Sequence, residues 1–378
     1  MLSYRAATCN VSPMRTAHRA IAAAALFIVA PSARAQSLPA PTVRDLGRGI
    51  YLFQTAPYGD VGLDGNSVAI VGRNGVLVFD ANGTPAAAES VLVAIRRITP
   101  LPVRWLVLSH WHWDHWYGAE VYARAFPGLE VIGHERTRAL MAGPAVAFNQ
   151  PGLDEQLPGH IAAVEQRLAQ LRQAQDSAAT RVARHLDTDR FFLAQKRAVR
   201  HTLPTRTLTD SLALDLGGRR VVVRHVDRAI TPGDVFLHLP DDGVVVTGDL
   251  LINPVTFALF CYPTGWMRTL DAIAALRPTL IVPGHGEAMR DTVLLGQTRA
   301  LLGREYELAR GLAQRNVPVA AAKDSVLADA EVQRQREAII AGDASKREMF
   351  ALYLVDWYVR RVYDELRGTL TDSIPRVP

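Results

Sequence analysis

The sequence predicts an α/β layered fold, because short apolar runs typical of strands alternate with segments whose apolar residues recur at helical spacing. Two of the runs, residues 67–71 and 76–80, are separated by four residues that end in Asn-Gly, which is a strong signal for a β-hairpin. A further run, residues 103–108, leads directly into a cluster of histidines. The sequence concentrates its chemistry in the loop after this third run.

The helices and strands around this loop can be placed in order. A strand is expected at residues 49–53, before the hairpin, and Thr84 begins a helix that runs to about residue 98. After the histidine cluster, the pattern predicts a helix at residues 118–126 and a strand at residues 130–133. Later in the chain we expect strands at residues 212–216, 221–226, 235–239, 244–247 and 280–282, and a helix at residues 270–276.

Two long segments lack the strand pattern. From about residue 136 to residue 204 the apolar residues follow helical spacing, as at Ile161, Val164 and Leu168. We interpret this segment as a helical insertion, which covers the core or forms a wall over the site, two roles that are compatible. A helical C-terminal extension is expected from about residue 292 to residue 366. Because strands lie on both sides of the insertion, residues 36–378 are predicted to form a single domain.

The histidine cluster is the stretch His110-Trp111-His112-Trp113-Asp114-His115. Neutral imidazole and carboxylate groups are nitrogen and oxygen ligands for Zn²⁺, and a site with one position left open keeps a place for water. A strand that ends in three imidazoles and a carboxylate therefore predicts a metal site. Trp111 and Trp116 are expected to pack in the core, whereas Trp113 and Tyr117 are open to either core packing or a pocket wall.

Three further motifs complete a family resemblance. Asp80 closes the second hairpin strand, Gly248-Asp249-Leu250 follows the strand at residues 244–247, and Gly284-His285-Gly286 follows the strand at residues 280–282. Together with the histidine stretch, these motifs resemble those of the metallo-β-lactamase-fold superfamily of metal-dependent hydrolases, from roughly residue 50 to residue 289. The resemblance implies an αββα sandwich of the metallo-β-lactamase type, with metals held by loops at one edge of the two sheets.

The resemblance also implies a role for each donor residue. A first metal site would take the first two histidines of the stretch, and a second would take its aspartate, its last histidine and His285. Asp249 would bridge the two metals, and Asp114 and Asp249 would act as catalytic residues that orient the attacking hydroxide. The implied metal ligands are His110, His112, Asp114, His115, Asp249 and His285.

One motif departs from the family pattern. Related proteins commonly have His-Thr-Pro-Gly-Asp, whereas this chain has Ile230-Thr231-Pro232-Gly233-Asp234, and isoleucine cannot coordinate a metal. His225 and Asp227 are open as substitute ligands, although a packed role is favoured for His225. We therefore expect one or two zinc ions, with the second site filled more readily than the first.

These features predict a zinc-dependent hydrolase that uses a metal-bound hydroxide. The expected partner is a small-molecule substrate with an ester, lactone, thioester or amide-like bond, β-lactams included. The alternative is a non-catalytic binding or sensor protein, in which Ile230 marks a degenerate metal site.

The N-terminal segment predicts export. Arg15 and Arg19 precede an apolar run at residues 20–30, and Ala33-Arg34-Ala35 forms an A-x-A cleavage site. Residues 1–35 are therefore expected to be a signal peptide, with Met14 as an alternative start. Because the apolar run is too short to span a bilayer, we expect a periplasmic or secreted protein without a stable membrane anchor, cleaved after Ala35.

The charge of the chain argues against a nucleic-acid partner. The formal net charge is +5, but residues 1–35 contain four arginines and no acidic residue. Without this segment the chain has 38 basic and 37 acidic residues, so it lacks the strongly basic balance of nucleic-acid-binding proteins.

The export hypothesis predicts the N-terminus of the mature protein. Expression of the full chain in a bacterium with a Sec system should give a periplasmic or extracellular product that begins at Gln36, as read by N-terminal sequencing. A matched Ala35→Arg variant should remain unprocessed, because small residues are required at the cleavage site. Full-length wild-type protein in the cytoplasm would refute the hypothesis.

Overall fold

The computed structural model describes residues 38–56 and 64–374, so the predicted signal peptide and Gln36 lie outside the described residues. Within the described part, the chain forms a seven-stranded sheet and a five-stranded sheet. The first sheet contains, in spatial order, β1 (Thr42–Gly47), β2 (Ile50–Gln54), β3 (Ser67–Val71), β4 (Val76–Phe79), β5 (Val103–Val107), β6 (Glu130–His134) and β7 (Arg206–Leu208). The second contains, in the spatial order β12-β11-β10-β9-β8, the strands β8 (Ser211–Asp215), β9 (Arg220–Arg224), β10 (Phe236–Leu239), β11 (Val244–Gly248) and β12 (Leu280–Pro283).

Helices cover the outer faces of both sheets. The first half of the chain contributes α1 (Pro85–Ile98), α2 (Trp113–Trp116), α3 (Ala119–Ala125), α4 (Glu135–Met141), α5 (Pro144–Pro151), α6 (Leu157–Gln173) and α7 (Ala178–Arg197). The second half contributes α8 (Pro263–Ala275), α9 (Val293–Gln314), α10 (Val319–Ala328), α11 (Ala330–Ile340), α12 (Ala344–Met349) and α13 (Asp356–Leu366). Short π-helical segments, Gly152–Gln156 and Phe350–Val355, join α5 to α6 and α12 to α13.

The two sheets pack face to face, which explains the apolar runs in the sequence. Leu77 and Phe79 of β4 belong to the cluster of buried side chains between the sheets, together with Val221 and Val282 of the second sheet. Val78 lies on the opposite face of β4, in the cluster beneath α1 and α3. Strands buried on both faces read as continuous apolar runs, because successive side chains point to opposite faces. The αββα sandwich that the resemblance implies is confirmed.

Local signals fix α1 as the sequence predicts. The Thr84 hydroxyl accepts a hydrogen bond from the backbone N–H of Ala87 at 3.2 Å, and Pro85 occupies the first turn, where it sacrifices no helical hydrogen bond. Val91 and Ile95 are buried against the first sheet, and the chain becomes extended at Thr99, before Pro100. The helix connects β4 to the parallel strand β5, as a crossover must.

The insertion begins and ends at the same edge of the seven-stranded sheet. β6 precedes it and β7 follows it, and the two strands pair in parallel, with Ile132 opposite Arg206. Helices α4 to α7 lie between them, in agreement with the helical character predicted for residues 136–204. Leu168 of α6 and Leu186 of α7 belong to one cluster of buried apolar side chains, together with Ala87 of α1. The insertion therefore lies over α1 and covers part of the core.

Several elements differ from the sequence prediction. β1 and β7 were not expected, because both are edge strands with mostly exposed residues, β1 being exposed at five of its six positions. α8 begins at Pro263 instead of residue 270, because proline is well suited to the first turn of a helix. None of the helices in the described part of the chain is both long enough and apolar enough to span a membrane.

One acidic side chain lies within the apolar interior of the C-terminal helices. Glu305 of α9 is fully buried beside Leu301, Leu302 and Tyr358, and neither carboxyl oxygen has a hydrogen-bond partner among the described residues. Burial raises the pKa of Glu305 to about 8. The folded state therefore favours the protonated acid.

This raised pKa predicts a pH-dependent effect of Glu305→Gln. The unfolded chain ionises Glu305 from about pH 4.5 and the folded chain only near pH 8, so wild-type stability falls relative to the variant across this window. The difference in Tm between Glu305→Gln and wild type should grow in favour of the variant from pH 5 to pH 8 and then level off. The exposed Glu307 of the same helix provides the matched control, Glu307→Gln, which should show no such trend. A pH-independent difference for Glu305→Gln would contradict the assignment.

Candidate metal centre

The donor residues converge because each follows a strand that ends at the same edge of the sandwich. His110 and His112 follow β5, Asp249 follows β11, and His285 follows β12, while β11 and β12 run parallel. Loops at the carboxyl ends of parallel strands meet at one edge of a sheet, which is where binding sites form in α/β proteins. The short helix α2 begins within the histidine stretch and turns its remaining donors toward the same point.

The structure arranges the six predicted metal ligands in two groups of three. The first group is His110, His112 and Asp249, and the second is Asp114, His115 and His285. Within each group, the atoms that can bind a metal lie within 4.8 Å of one another. Three protein ligands with an open fourth position are the arrangement of a catalytic zinc site.

Asp249 lies between the two groups. Its Oδ2 atom is 3.6 Å from Nε2 of His110, in the first group. Its Oδ1 atom is 3.3 Å from Nε2 of His115 and 3.5 Å from Nε2 of His285, both in the second group. The two carboxylate oxygens therefore face different groups, which is the geometry that a bridging ligand requires.

The chemistry of the donors fits a metal ion. The Nε2 atoms of His110, His112 and His115 and the Oδ1 atom of Asp249 are buried without a hydrogen-bond partner in the described part of the chain. Such atoms cost free energy unless they are paired or coordinate a metal. Nitrogen and carboxylate oxygen donors in these numbers suit zinc.

The histidines of the two groups have different proton affinities. Burial and the neighbouring histidines hold the pKa of His110 well below its usual range, and burial lowers the pKa of His112 to about 4. Burial also acts to lower the pKa of His115, but Asp249 and Asp114 raise it well above the usual range. The first group therefore presents neutral imidazoles, and the second lies in a field that attracts positive charge.

Asp80 orients one donor from each group. Its Oδ2 atom is 2.8 Å from Nδ1 of His115 and accepts a hydrogen bond from the Ser109 hydroxyl at 2.8 Å. The same hydroxyl is 2.8 Å from Nδ1 of His110. Because the Nδ1 atoms are occupied in this way, the Nε2 atoms are left to bind a metal, an arrangement that is common where metal-binding histidines donate the N–H of their other nitrogen to a carboxylate or hydroxyl.

The motif Ile230-Thr231-Pro232-Gly233-Asp234 keeps its backbone turn but offers no metal ligand at position 230. The backbone N–H and hydroxyl of Thr231 donate to Asp234 at 2.7 Å and 3.0 Å, so the turn is closed, and the Ile230 side chain is fully buried in the apolar cluster behind the second sheet. His225 bonds through Nδ1 to the Asp234 carbonyl at 2.8 Å, and Asp227 pairs with Arg268. Among the described residues, neither His225 nor Asp227 belongs to a metal-compatible group.

The aromatic residues of the histidine stretch serve different purposes. Trp111 and Trp116 are buried core residues, as predicted, and Trp116 donates its indole N–H to the Trp111 carbonyl at 2.8 Å. Trp113 lies between the metal groups and the insertion. The Lys196 ammonium nitrogen of α7 is 3.2 Å from the centre of the Trp113 ring and 4.2 Å from that of Tyr117. The insertion thus reaches the edge of the metal centre, in addition to covering core.

Sequence analysis did not identify Lys196 or Asp64 as part of the site. The Lys196 nitrogen is buried without a hydrogen-bond partner in the described part of the chain, and burial holds its pKa well below the usual range. Asp64 accepts hydrogen bonds from the backbone N–H of Gly83 and the hydroxyl of Thr55, each at 2.5 Å, and burial raises its pKa to about 6. Neither residue has a local sequence signal, since both reach the site only through the tertiary fold.

Comparisons with known proteins agree with this geometry. The family model of the metallo-β-lactamase superfamily matches residues 60–285. The chain is 22% identical over 230 residues to a linear primary-alkylsulfatase from Pseudomonas sp. (strain ATCC 19151), a match that covers 56% of this chain and 40% of that protein. It is 26% identical over 233 residues to the 2,4-dinitroanisole O-demethylase subunit beta from Nocardioides sp. (strain JS1661), covering 61% of this chain and 56% of that one.

A solved structure extends the likeness beyond the matched segment. A double mutant of the sec-alkyl sulfatase PisA1 has a TM-score of 0.59 with 16% sequence identity, over 87% of this chain and 50% of that chain. The chain therefore spans about half the length of the relatives that it matches, or less. Since the family model covers more than half of the sequence and the sandwich carries both donor groups, the chain belongs to the metallo-β-lactamase superfamily.

Proposed function

We propose that the chain is an exported, zinc-dependent hydrolase of small ester-like molecules. The observation that carries this proposal is the pair of three-donor groups with Asp249 between them. The first group would hold one zinc ion through His110, His112 and Asp249, and the second would hold another through Asp114, His115 and His285, with Asp249 shared. When bound, zinc polarises an oxygen atom of the substrate and makes water acidic enough to react at neutral pH.

The chain's own carboxylates would position the attacking water. Although burial acts to raise the pKa of Asp114, His115 and His285 hold it well below its usual range, so this residue is ionised at neutral pH. Its Oδ2 atom lies 3.1 Å from Nε2 of His285, and the two side chains are 13% and 18% exposed, whereas His115 is fully buried. Water and substrate would therefore reach the centre on the Asp114 side, where this oxygen can accept a hydrogen bond from water and orient it.

The chemistry of the centre supports the proposed substrate class. Esters, lactones, thioesters and amide-like bonds, including β-lactams, all present an oxygen that a metal can polarise and a centre that water can attack. Two of the matched proteins are described as alkylsulfatases, which act on sulfate esters. We therefore include alkyl sulfates in the ester class proposed for this chain. Cleavage after Ala35 would deliver the enzyme to the periplasm or the medium.

Ile230 favours a second candidate, a binding or sensor protein with a degenerate metal site. The first group lacks the third imidazole that the family pattern supplies, and its metal affinity should be lower for that reason. The enzyme is the better-supported proposal, because six donors remain in two compact groups, and atoms of His110, His112, His115 and Asp249 are buried without a hydrogen-bond partner among the described residues.

A substrate panel tests the proposed function. Purified protein loaded with zinc should hydrolyse at least one of an aryl ester, a lactone, a thioester, a β-lactam and an alkyl sulfate. Asp249→Asn should lower this rate by about 100-fold or more, since even the loss of a residue that only orients a metal ligand costs roughly 10–100-fold. The matched control Asp271→Asn changes a surface residue paired with Arg299 and should leave the rate unchanged. Protein that binds zinc but hydrolyses none of these compounds would support the sensor instead.

Ile230→His tests the cause of unequal metal binding. If the new imidazole turns out of the apolar cluster that holds Ile230, it would complete a set of three with His110 and His112 within the turn that Thr231 and Asp234 close. Wild type should retain about one zinc ion per chain against a weak chelator, and the variant about two. Ile230→Val, which adds no ligand, serves as the control and should behave as wild type. Two tightly held zinc ions in the wild type would show that the first group does not need the imidazole.

A further inference from the structure

The loop that carries His285 receives three hydrogen bonds from one asparagine, in addition to single bonds from Gln54 and from the backbone of Asn253. Asn66, which precedes β3, donates its backbone N–H to the Gly284 carbonyl at 2.7 Å. Its side-chain amide donates to the carbonyls of Pro283 and Gly286 at 2.9 Å and 2.8 Å. Asn66 is only 5% exposed, and its three hydrogen bonds hold the backbone on both sides of His285.

The neighbouring Gly65 contacts the other half of the second donor group. Its backbone N–H donates to the Asp114 carbonyl at 3.3 Å. A Cβ atom at Gly65 would lie 2.7 Å from Cε1 of His115, closer than real Cβ contacts come, so the backbone can approach the imidazole only because residue 65 is glycine. Gly65 and Asn66 therefore bridge the two chain segments that supply the second group.

The His285 loop needs this support because of its own sequence. Close packing demands glycine on both sides of His285: a Cβ atom would lie 2.0 Å from Oδ1 of Asp249 at Gly284, and 2.1 Å from the carbonyl oxygen of Asn253 at Gly286. Glycines leave the backbone with more conformational freedom than any other residue. Hydrogen bonds to the loop carbonyls offset that freedom.

The first donor group does not share this dependence. His110 and His112 lie in one continuous stretch after β5, and His110 is oriented by the Ser109 hydroxyl. In the described part of the chain, the side chain of Asn66 bonds only to the His285 loop. A change at Asn66 should consequently act on the second group more than on the first, which, among the described residues, the His285 loop touches only through Asp249.

We propose that Gly65-Asn66 is a positioning element that fixes His285 relative to Asp114 and His115, and thereby sets the metal affinity of the second group. The role rests on the metal centre of the proposed function. Metal sites tolerate small displacements of their ligands poorly, and residues that orient ligands typically contribute 10–100-fold in metal affinity. Asn66 thus touches no metal but determines whether three donors meet at one point.

The test measures metal affinity in a chain whose first group is disabled by His112→Ala. Asn66→Asp, of equal size, replaces the amide with a carboxylate that cannot donate and that faces two carbonyl oxygens. In this background it should weaken zinc binding by about 10-fold or more. It should also change the visible absorption spectrum of bound Co²⁺, which reports ligand geometry. Asn149→Asp, which removes an amide hydrogen bond to Ala145 within the insertion, is the matched control and should change neither quantity.

The outcomes separate positioning from general destabilisation. If Asn66→Asp fails to fold, Asn66→Ala removes the same donors without adding charge, and the same loss of affinity is expected. Unchanged affinity and an unchanged Co²⁺ spectrum would overturn the positioning role, as would an equal loss in Asn149→Asp. Absence of zinc binding in the His112→Ala chain and in wild type would instead overturn the metal centre itself, and the proposed function with it.

Discussion

The carboxylate of Asp80 holds together the elements on which the metal centre is built. It accepts hydrogen bonds from the backbone N–H and the hydroxyl of Ser109, and it faces Nδ1 of His115 at 2.8 Å. Its backbone N–H donates to Val107, and its carbonyl accepts from the Ser67 hydroxyl. Burying a carboxylate is costly unless it is hydrogen-bonded, and these contacts offset part of the cost, although burial still raises the pKa of Asp80. One residue therefore ties β3, β4, β5 and the histidine stretch into a fixed arrangement.

The same arrangement makes the two donor groups electrostatically unequal. Asp80, Asp114 and Asp249 all raise the pKa of His115, which reports a negative potential at the second group. His110 has only Asp249 and Asp114 as opposing charges, and burial outweighs them, so its pKa falls. A potential that attracts a proton also attracts a metal cation. The electrostatic potential of the protein and the missing imidazole at position 230 thus both favour metal binding at the second group.

The sequence predicts those parts of the protein that depend on local chemistry. The cap at Thr84 and the Asn-Gly pair of the hairpin act within a few residues, and the strands buried on both faces are continuous apolar runs. The donor residues were recognisable because family motifs keep their spacing within each loop. Asp64 and Lys196 were not, because each acquires its role through residues elsewhere in the chain. β1 was missed for another reason: it pairs with the adjacent β2, but its residues are mostly exposed, so no apolar run marks it. Buried charges acquire their roles only when the tertiary fold is complete.

The path of the insertion explains how the ammonium group of Lys196 reaches the metal centre. Since β6 and β7 pair side by side, the helices between them must return to the sheet edge at β7, two strands from β5, after which the histidine stretch begins. This return carries α7 across Trp113, and Lys196 places its nitrogen against the indole ring. A cation beside an aromatic face is stabilised by the ring but still loses its hydration. Asp114 and Asp64 oppose that loss, so the insertion contributes to the electrostatic balance of the site as well as to its cover.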